Sequence, residues 1–235
     1  MSPQPGAALA SAPASTRPPE PMPVQADAAT RHLADDRPAG ATWGALALLL
    51  SLLAAAGALA PAAWQQMLDW QPGLVASQPW RAFSAIAVHY SAWHLVANLA
   101  GAAAVTALGR AAQLPARCTL AWALAWPMTQ LGLLVQPALV NYGGLSGVLH
   151  AGVAVAALHL LWRARGARRA IGAALAVGLA AKLLGEAPWG APLRRPADWD
   201  IALAPIGHAT GVAAGVVSGI VVEAWRSARG PAVRA

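Results

Sequence analysis

The stretch Cys118–Trp162, CTLAWALAWPMTQLGLLVQPALVNYGGLSGVLHAGVAVAALHLLW, contains no Asp, Glu, Lys or Arg over 45 residues. That is too long for one bilayer crossing of about 20 residues and suits two crossings joined by a turn. The remainder agrees. Of 235 residues, 57% are hydrophobic and 11% charged, with a mean hydropathy of +0.49, whereas a soluble domain carries about a quarter charged residues. An ordinary soluble enzyme is excluded. The chain reads as an all-α, polytopic membrane protein.

Six apolar segments are expected, at about Ala41–Ala60, Trp93–Leu108, Cys118–Gln136, Leu145–Trp162, Ala170–Leu184 and Pro205–Trp225. The connection from Pro61 to Ser91 holds few charges and is expected to lie partly in the membrane interface. Residues 1–40 contain eight of the nineteen prolines among Ala, Ser and charges of both signs. Such a segment buries too little apolar surface to offset its ordering entropy, so a disordered cytoplasmic tail is expected there. The first apolar run begins only at Ala41 and reads as a retained helix rather than a signal peptide. Residues 41–225 then form the membrane domain, and 226–235 a short basic cytoplasmic tail.

The net charge of +7 comes from fifteen Arg and one Lys. With so little polar surface it reads as membrane topology, and no nucleic-acid partner is expected. The turns after segments two and four carry Arg110, Arg117, Arg163, Arg165, Arg168 and Arg169, and the C-terminus adds Arg226, Arg229 and Arg234. The positive-inside rule then puts both termini in the cytoplasm. Trp43, Trp64, Trp93, Trp162, Trp189 and Trp225 fall at the edges of apolar runs, where an interfacial aromatic belt is expected. Cys118, the single cysteine, sits in no metal motif. No metal and no cofactor is expected.

Polar groups inside membrane segments are costly and are functional candidates. In this topology segments two, four and six all run inward from the outer side. His94 and Asn98 open segment two, Ser146 opens segment four, and His208 lies about one turn into segment six. Segment four, at 1.5 Å per residue, spans only about 27 Å, so its head is expected below the outer surface. Four polar side chains from three helices then meet at one depth. A serine hydroxyl becomes a nucleophile when a histidine takes its proton. Asn98 and His94 can donate to an oxyanion, as can amides beside the small residues Gly144 and Gly147 at a helix start. Gly207, Gly211, Gly215 and Gly219 form a smooth stripe on segment six, the spacing that lets membrane helices approach closely.

These residues resemble the rhomboid intramembrane serine proteases. The matching motifs are Trp80-Arg81, then His89, His94 and Asn98 as HxxxxHxxxN. GxSG follows at Gly144, Ser146 and Gly147, and HxxGxxxG at His208, Gly211 and Gly215. All four stand in order at the corresponding places on six helices, over about residues 41–225. The resemblance implies a six-transmembrane-helix rhomboid-like bundle with Ser146 as nucleophile and His208 as base, a dyad without an acidic third member. It also implies His94, Asn98 and the Ser146 backbone as the oxyanion hole. Many members carry a tyrosine four residues after the serine, packed on the base; here that position is His150. The stretch from Tyr142 to His150, the compact size and Lys182 look like the rhombosortase subgroup, associated with exported proteins that carry C-terminal Gly-Gly-containing membrane anchors. The implied setting is a bacterial inner membrane, with the site toward the periplasm and transmembrane protein substrates as partners. The sequence is silent on oligomeric state.

Simpler roles stand beside these. Ser146 could cap a helix, and His208 could be a buried histidine bonded to a carbonyl. His150 lies on the same helix face as Ser146 and is expected as a site wall. Tyr142 is expected to gate or line the site. His159 is expected to be structural, His89 to make a stabilising hydrogen bond, and Arg81 to make a loop or headgroup contact. Lys182 and Glu186 read as a snorkelled interfacial i,i+4 pair. The alternative to a protease is a catalytically silent rhomboid-like protein that binds transmembrane segments. Retention of both Ser146 and His208 favours the enzyme.

Overall fold

A computed structural model describes Met1 and residues 40–228; of the expected tails, residues 2–39 and 229–235 lie outside the described residues, and 226–228 belong to the last helix. The first apolar run forms α1 (Ala41–Leu59). The connection after it folds as α2 (Ala62–Leu68), a 3-10 turn at Pro72–Leu74, α3 (Arg81–Ser84) and a second turn at Ala85–Ala87. Then come α4 (Ala92–Ala111), α5 (Ala116–Gly132, extended by a 3-10 turn to Val135), α6 (Ser146–Arg163), α7 (Gly166–Glu186) and α8 (Pro205–Ala228). Among the described residues the only β pairing is two isolated bridges, Trp70–Tyr142 and Arg194–Leu203.

The six expected segments are thus the six long helices, with ends shifted by a few residues. Five of them, all but α7, are long and apolar enough to cross a membrane. At 21 residues α7 is long enough, about 31 Å at 1.5 Å per residue. Its first and last turns, however, hold Arg168, Arg169, Lys182 and Glu186, which shortens its apolar stretch. The protein is a multi-pass, all-helical membrane protein.

Small residues decide which helix lies at the centre. Ten of the eighteen residues of α6 are buried, mostly Gly, Ala and Val, so α4, α5, α7 and α8 can all close on it. The glycine stripe of α8 faces it directly. Gly211 abuts the Gly147 backbone and Gly215 that of Ala151. Lipid offers apolar groups no reason to leave it, so close packing of this kind is what holds membrane helices together. In α7, by contrast, only Gly172 is buried; it leans on α6 from outside.

Trp43 departs from the expected belt. It is wholly buried, its ring 4.4 Å from that of Trp122, and its indole N–H donates to the Val105 carbonyl at 2.9 Å. Trp122 in turn donates to the Val148 carbonyl at 2.7 Å. A buried indole N–H usually has a hydrogen-bond partner, and the Val105 carbonyl supplies it here. Trp64, Trp93, Trp162, Trp189 and Trp225 are exposed, as a belt requires.

Two ion clusters tie the helix ends. At the arginine-rich end, Glu223 of α8 accepts from Arg117 at 2.8 Å and Arg163 at 2.6 Å, joining α5 and α6 to α8. His159 lies beside them, 3.9 Å from Glu223. At the other end Arg81 is buried in the long connection. It donates to the Asp69 carboxylate at 3.0 Å, to the Asp69 and Gln66 carbonyls, and to Gln78. Arg81 is therefore a loop contact, and it fixes the connection that borders the site.

Candidate active site

Each side chain at the site is placed by a local rule. Ser91 caps α4 by accepting the His94 N–H at 3.0 Å, which sets where the helix begins and puts His94 in its first turn. Ser91 also donates to Asp200 at 2.9 Å, drawing the 187–204 loop over the head of α4. Asn98 sits one turn further on and uses one amide N–H on the His94 carbonyl at 3.0 Å, leaving the other free to donate.

Ser146 is the first residue of α6, where backbone N–H groups have no intrahelical acceptor. Gly144, two residues before it, has φ +128°, and a methyl group there would come within 2.9 Å of the His94 ring. Only glycine meets both conditions. Pro205 opens α8, its fixed φ suited to a first turn, and this brings His208 to the depth of Ser146.

The geometry that results is specific. His208 Nε2 lies 3.0 Å from Ser146 Oγ, and His208 Nδ1 lies 2.7 Å from Glu186 Oε2. A carboxylate oxygen only accepts, so the imidazole proton is on Nδ1 and Nε2 is free to accept from the serine hydroxyl. Such a pairing can generate a serine nucleophile. His150 Nδ1 donates to the Ser146 carbonyl at 2.7 Å. Its ring stacks on that of His208, 4.3 Å between centroids at 20°. His150 thus packs on His208, and the partner of the serine hydroxyl is His208.

Tyr142 is buried, with its backbone bonded in both directions to Trp70 at 2.7 and 2.8 Å. Its ring fills the space that a side chain at Gly207 would occupy, and its hydroxyl approaches Gly147. It lines a pocket together with His94, Ser146 and His208. His89 is buried next to His94, their rings 4.9 Å apart, and burial lowers its pKa to about 4.

A cavity of about 530 Å³ leads to these groups. It runs between α4 and α7, with Ala97, Gly101 and Val105 on one side, Leu179 on the other, and Leu149 and Val153 of α6 as its floor. Ser146, His94, Asn98, His150 and His208 all line it. Five of the candidates read from the sequence thus line one cavity, whereas Tyr142, Gly144 and Gly147 are not among its lining residues. The structure adds Glu186, which the i,i+4 spacing alone assigns to Lys182. That pair is present at 2.7 Å, but the second carboxylate oxygen goes to His208. Among the described residues no group of three or more His, Cys, Asp or Glu could hold a metal ion.

No curated protein matches the chain. The Rhomboid domain family matches residues 76–225, which takes in α3 to α8 and all the site residues above. The chain belongs to the rhomboid family, one of intramembrane serine proteases that also contains inactive members.

Proposed function

We propose that this protein is an intramembrane serine endopeptidase that cleaves single-pass membrane anchors near the outer membrane boundary, with Gly-Gly-containing C-terminal anchors of exported proteins as its substrates. The observation that carries the reading is the 3.0 Å Ser146–His208 hydrogen bond at the end of a cavity between α4 and α7.

In this reading His208 Nε2 takes the Ser146 proton as Oγ attacks the scissile carbonyl. The oxyanion receives hydrogen bonds from the free Asn98 N–H, from His94 and from the Ser146 amide. His208 then gives its proton to the leaving amine, and water, deprotonated in turn by His208, releases the acyl group. A transmembrane helix hides its amides in i to i−4 hydrogen bonds, so the substrate must arrive extended. Glycine lowers the cost of unwinding by about 1 kcal/mol per residue relative to alanine, which is the reason for the Gly-Gly preference.

The arginine-rich end faces the cytoplasm and the site faces the outer side of a bacterial inner membrane. A cysteine at Ala138 is expected to react with a membrane-impermeant maleimide from outside, and one at Ala167 not to; the reverse pattern refutes the orientation. Labelling by a serine-reactive fluorophosphonate in detergent tests the enzyme itself. Wild type is expected to label, and Ser146→Ala and His208→Ala to lose both labelling and proteolysis. A wild type that neither labels nor cleaves would identify a silent, segment-binding relative. Replacing Gly-Gly by Leu-Leu in a co-expressed anchor reporter tests the substrate class, and equal cleavage of both would refute it.

A further inference from the structure

Glu186 ends α7, outside the four motifs that mark the site. We propose that Glu186 is a positioning residue for His208, making the site a Ser146–His208–Glu186 triad rather than a two-residue one. This rests on Ser146 and His208 acting as proposed above.

The geometry has the required order. Ser146 Oγ and Glu186 Oε2 stand at opposite nitrogens of one imidazole, at 3.0 and 2.7 Å. The shorter distance is that of a charge-assisted bond. For His208 to accept a proton at Nε2, its other proton must be on Nδ1, and an acceptor there selects that tautomer. The same carboxylate stabilises the imidazolium that forms when the serine proton moves, without itself being protonated.

Glu186 is itself held from two directions. Lys182 Nζ donates to Oε1 at 2.7 Å, so each carboxylate oxygen has one partner and Oε2 is aimed at His208. Arg194 donates to the Glu186 carbonyl at 2.7 Å, anchoring the end of α7, and Ala187 turns the chain away at φ 45°. His150 contacts the face of the imidazole, while Glu186 fixes its rotation about that face. A surface i,i+4 pair needs none of this; Lys182 and Glu186 alone would leave Oε2 in solvent.

The test uses the full-length protein in detergent micelles, an anchor-derived fluorogenic peptide, and the rate of fluorophosphonate labelling, which reports nucleophile activation independently of peptide binding. Glu186→Gln keeps the shape and removes the charge; Glu186→Ala removes both. Loss of a buried triad carboxylate elsewhere costs about 10⁴-fold. This one is partly exposed, at 23% of its side chain, so we expect kcat and labelling rate to fall together by about 10²-fold with KM changed less than about threefold. Glu186→Asp is expected to recover part of the rate and Lys182→Met to lose less than Glu186→Gln. In a Ser146→Ala background, the low-field imidazole N–H proton resonance is expected to vanish with Glu186→Ala. Wild-type kcat and labelling in Glu186→Gln would overturn the proposal, as would a loss confined to KM. A loss accompanied by a lowered melting temperature and an unchanged imidazole resonance would make Glu186 structural and overturn it equally. If Ser146→Ala still cleaved, the underlying nucleophile assignment would have failed instead, which the Glu186 variants cannot mimic.

Discussion

Gly211→Ala tests whether the α6–α8 contact sets the Ser146–His208 distance. A Cβ at Gly211 would fall on the Gly147 carbonyl, 2.7 Å from its carbon and 3.1 Å from Gly147 Cα, where ordinary contact begins at 3.4 Å. The obstacle is helix backbone and cannot rotate aside, so the two helices must part by about 1 Å in a close-packed seam. Ser146 adjoins Gly147, and His208 lies less than one turn before Gly211. The separation therefore reaches the 3.0 Å hydrogen bond and stretches it to about 4 Å, beyond hydrogen-bonding range. A misplacement of about 1 Å costs about 10²-fold in rate, and the overpacking costs about 1–3 kcal/mol, partly offset by the better helix propensity of alanine. Two controls bracket the effect. Gly219→Ala meets only the flexible end of Leu158, at 2.8 Å, and Gly178→Ala on α7 meets nothing within 4 Å; both should cleave at near wild-type kcat. The assay is reporter cleavage in micelles alongside thermal unfolding midpoints. Wild-type kcat in Gly211→Ala, or an equal loss in Gly178→Ala, refutes the reasoning.

Three further outcomes are expected. Asn98→Ala should lower kcat by about 10 to 10³-fold with a smaller change in KM, as loss of one oxyanion donor does; an unchanged kcat would make Asn98 structural. Arg81→Met should destabilise the fold by about 3–5 kcal/mol, because it strands a buried carboxylate. Burial already raises the Asp69 pKa despite the lowering effects of Gln71 and Arg81, so Arg81→Met with Asp69→Asn should recover much of the loss; equal unfolding midpoints in wild type and Arg81→Met would refute the pairing argument. His89 has its folded pKa lowered from 6.5 to about 4 by burial, so the unfolded chain takes up its proton first. Stability from this group is present above pH about 6.5 and declines by up to about 3 kcal/mol as pH falls to about 4. His89→Phe should flatten that decline in unfolding midpoints measured between pH 4.5 and 7.5, and an undiminished slope would assign it elsewhere.

The membrane class, the six helices and the four motif residues were legible because each depends on local or periodic information. A 45-residue uncharged run has few solutions in water, and a bilayer dictates helices of a given length. Ser146, His94, Asn98 and His208 stood out because polar groups near helix heads in apolar segments are costly enough to be conspicuous. Glycine spacing on segment six announced a close contact, and the structure finds it against Gly147 and Ala151. Trp43 departs from the expected belt because an indole at the edge of an apolar run looks the same whether it faces lipid or finds a carbonyl, and Val105 lies 62 residues away.

Glu186 shows the same limit at the site. Its place, near the end of segment five and the start of segment six, was available from the chain. Which way its second oxygen points was not. An i,i+4 pairing with Lys182 accounts for the residue locally, and nothing in sequence distinguishes that from a carboxylate shared with His208 on the next helix. Local spacing determines which groups reach the same membrane depth. The packing of α7 against α6, and of α8 against both, determines which of them meet, because a hydrogen bond is decided by tenths of an ångström set by contacts far apart along the chain.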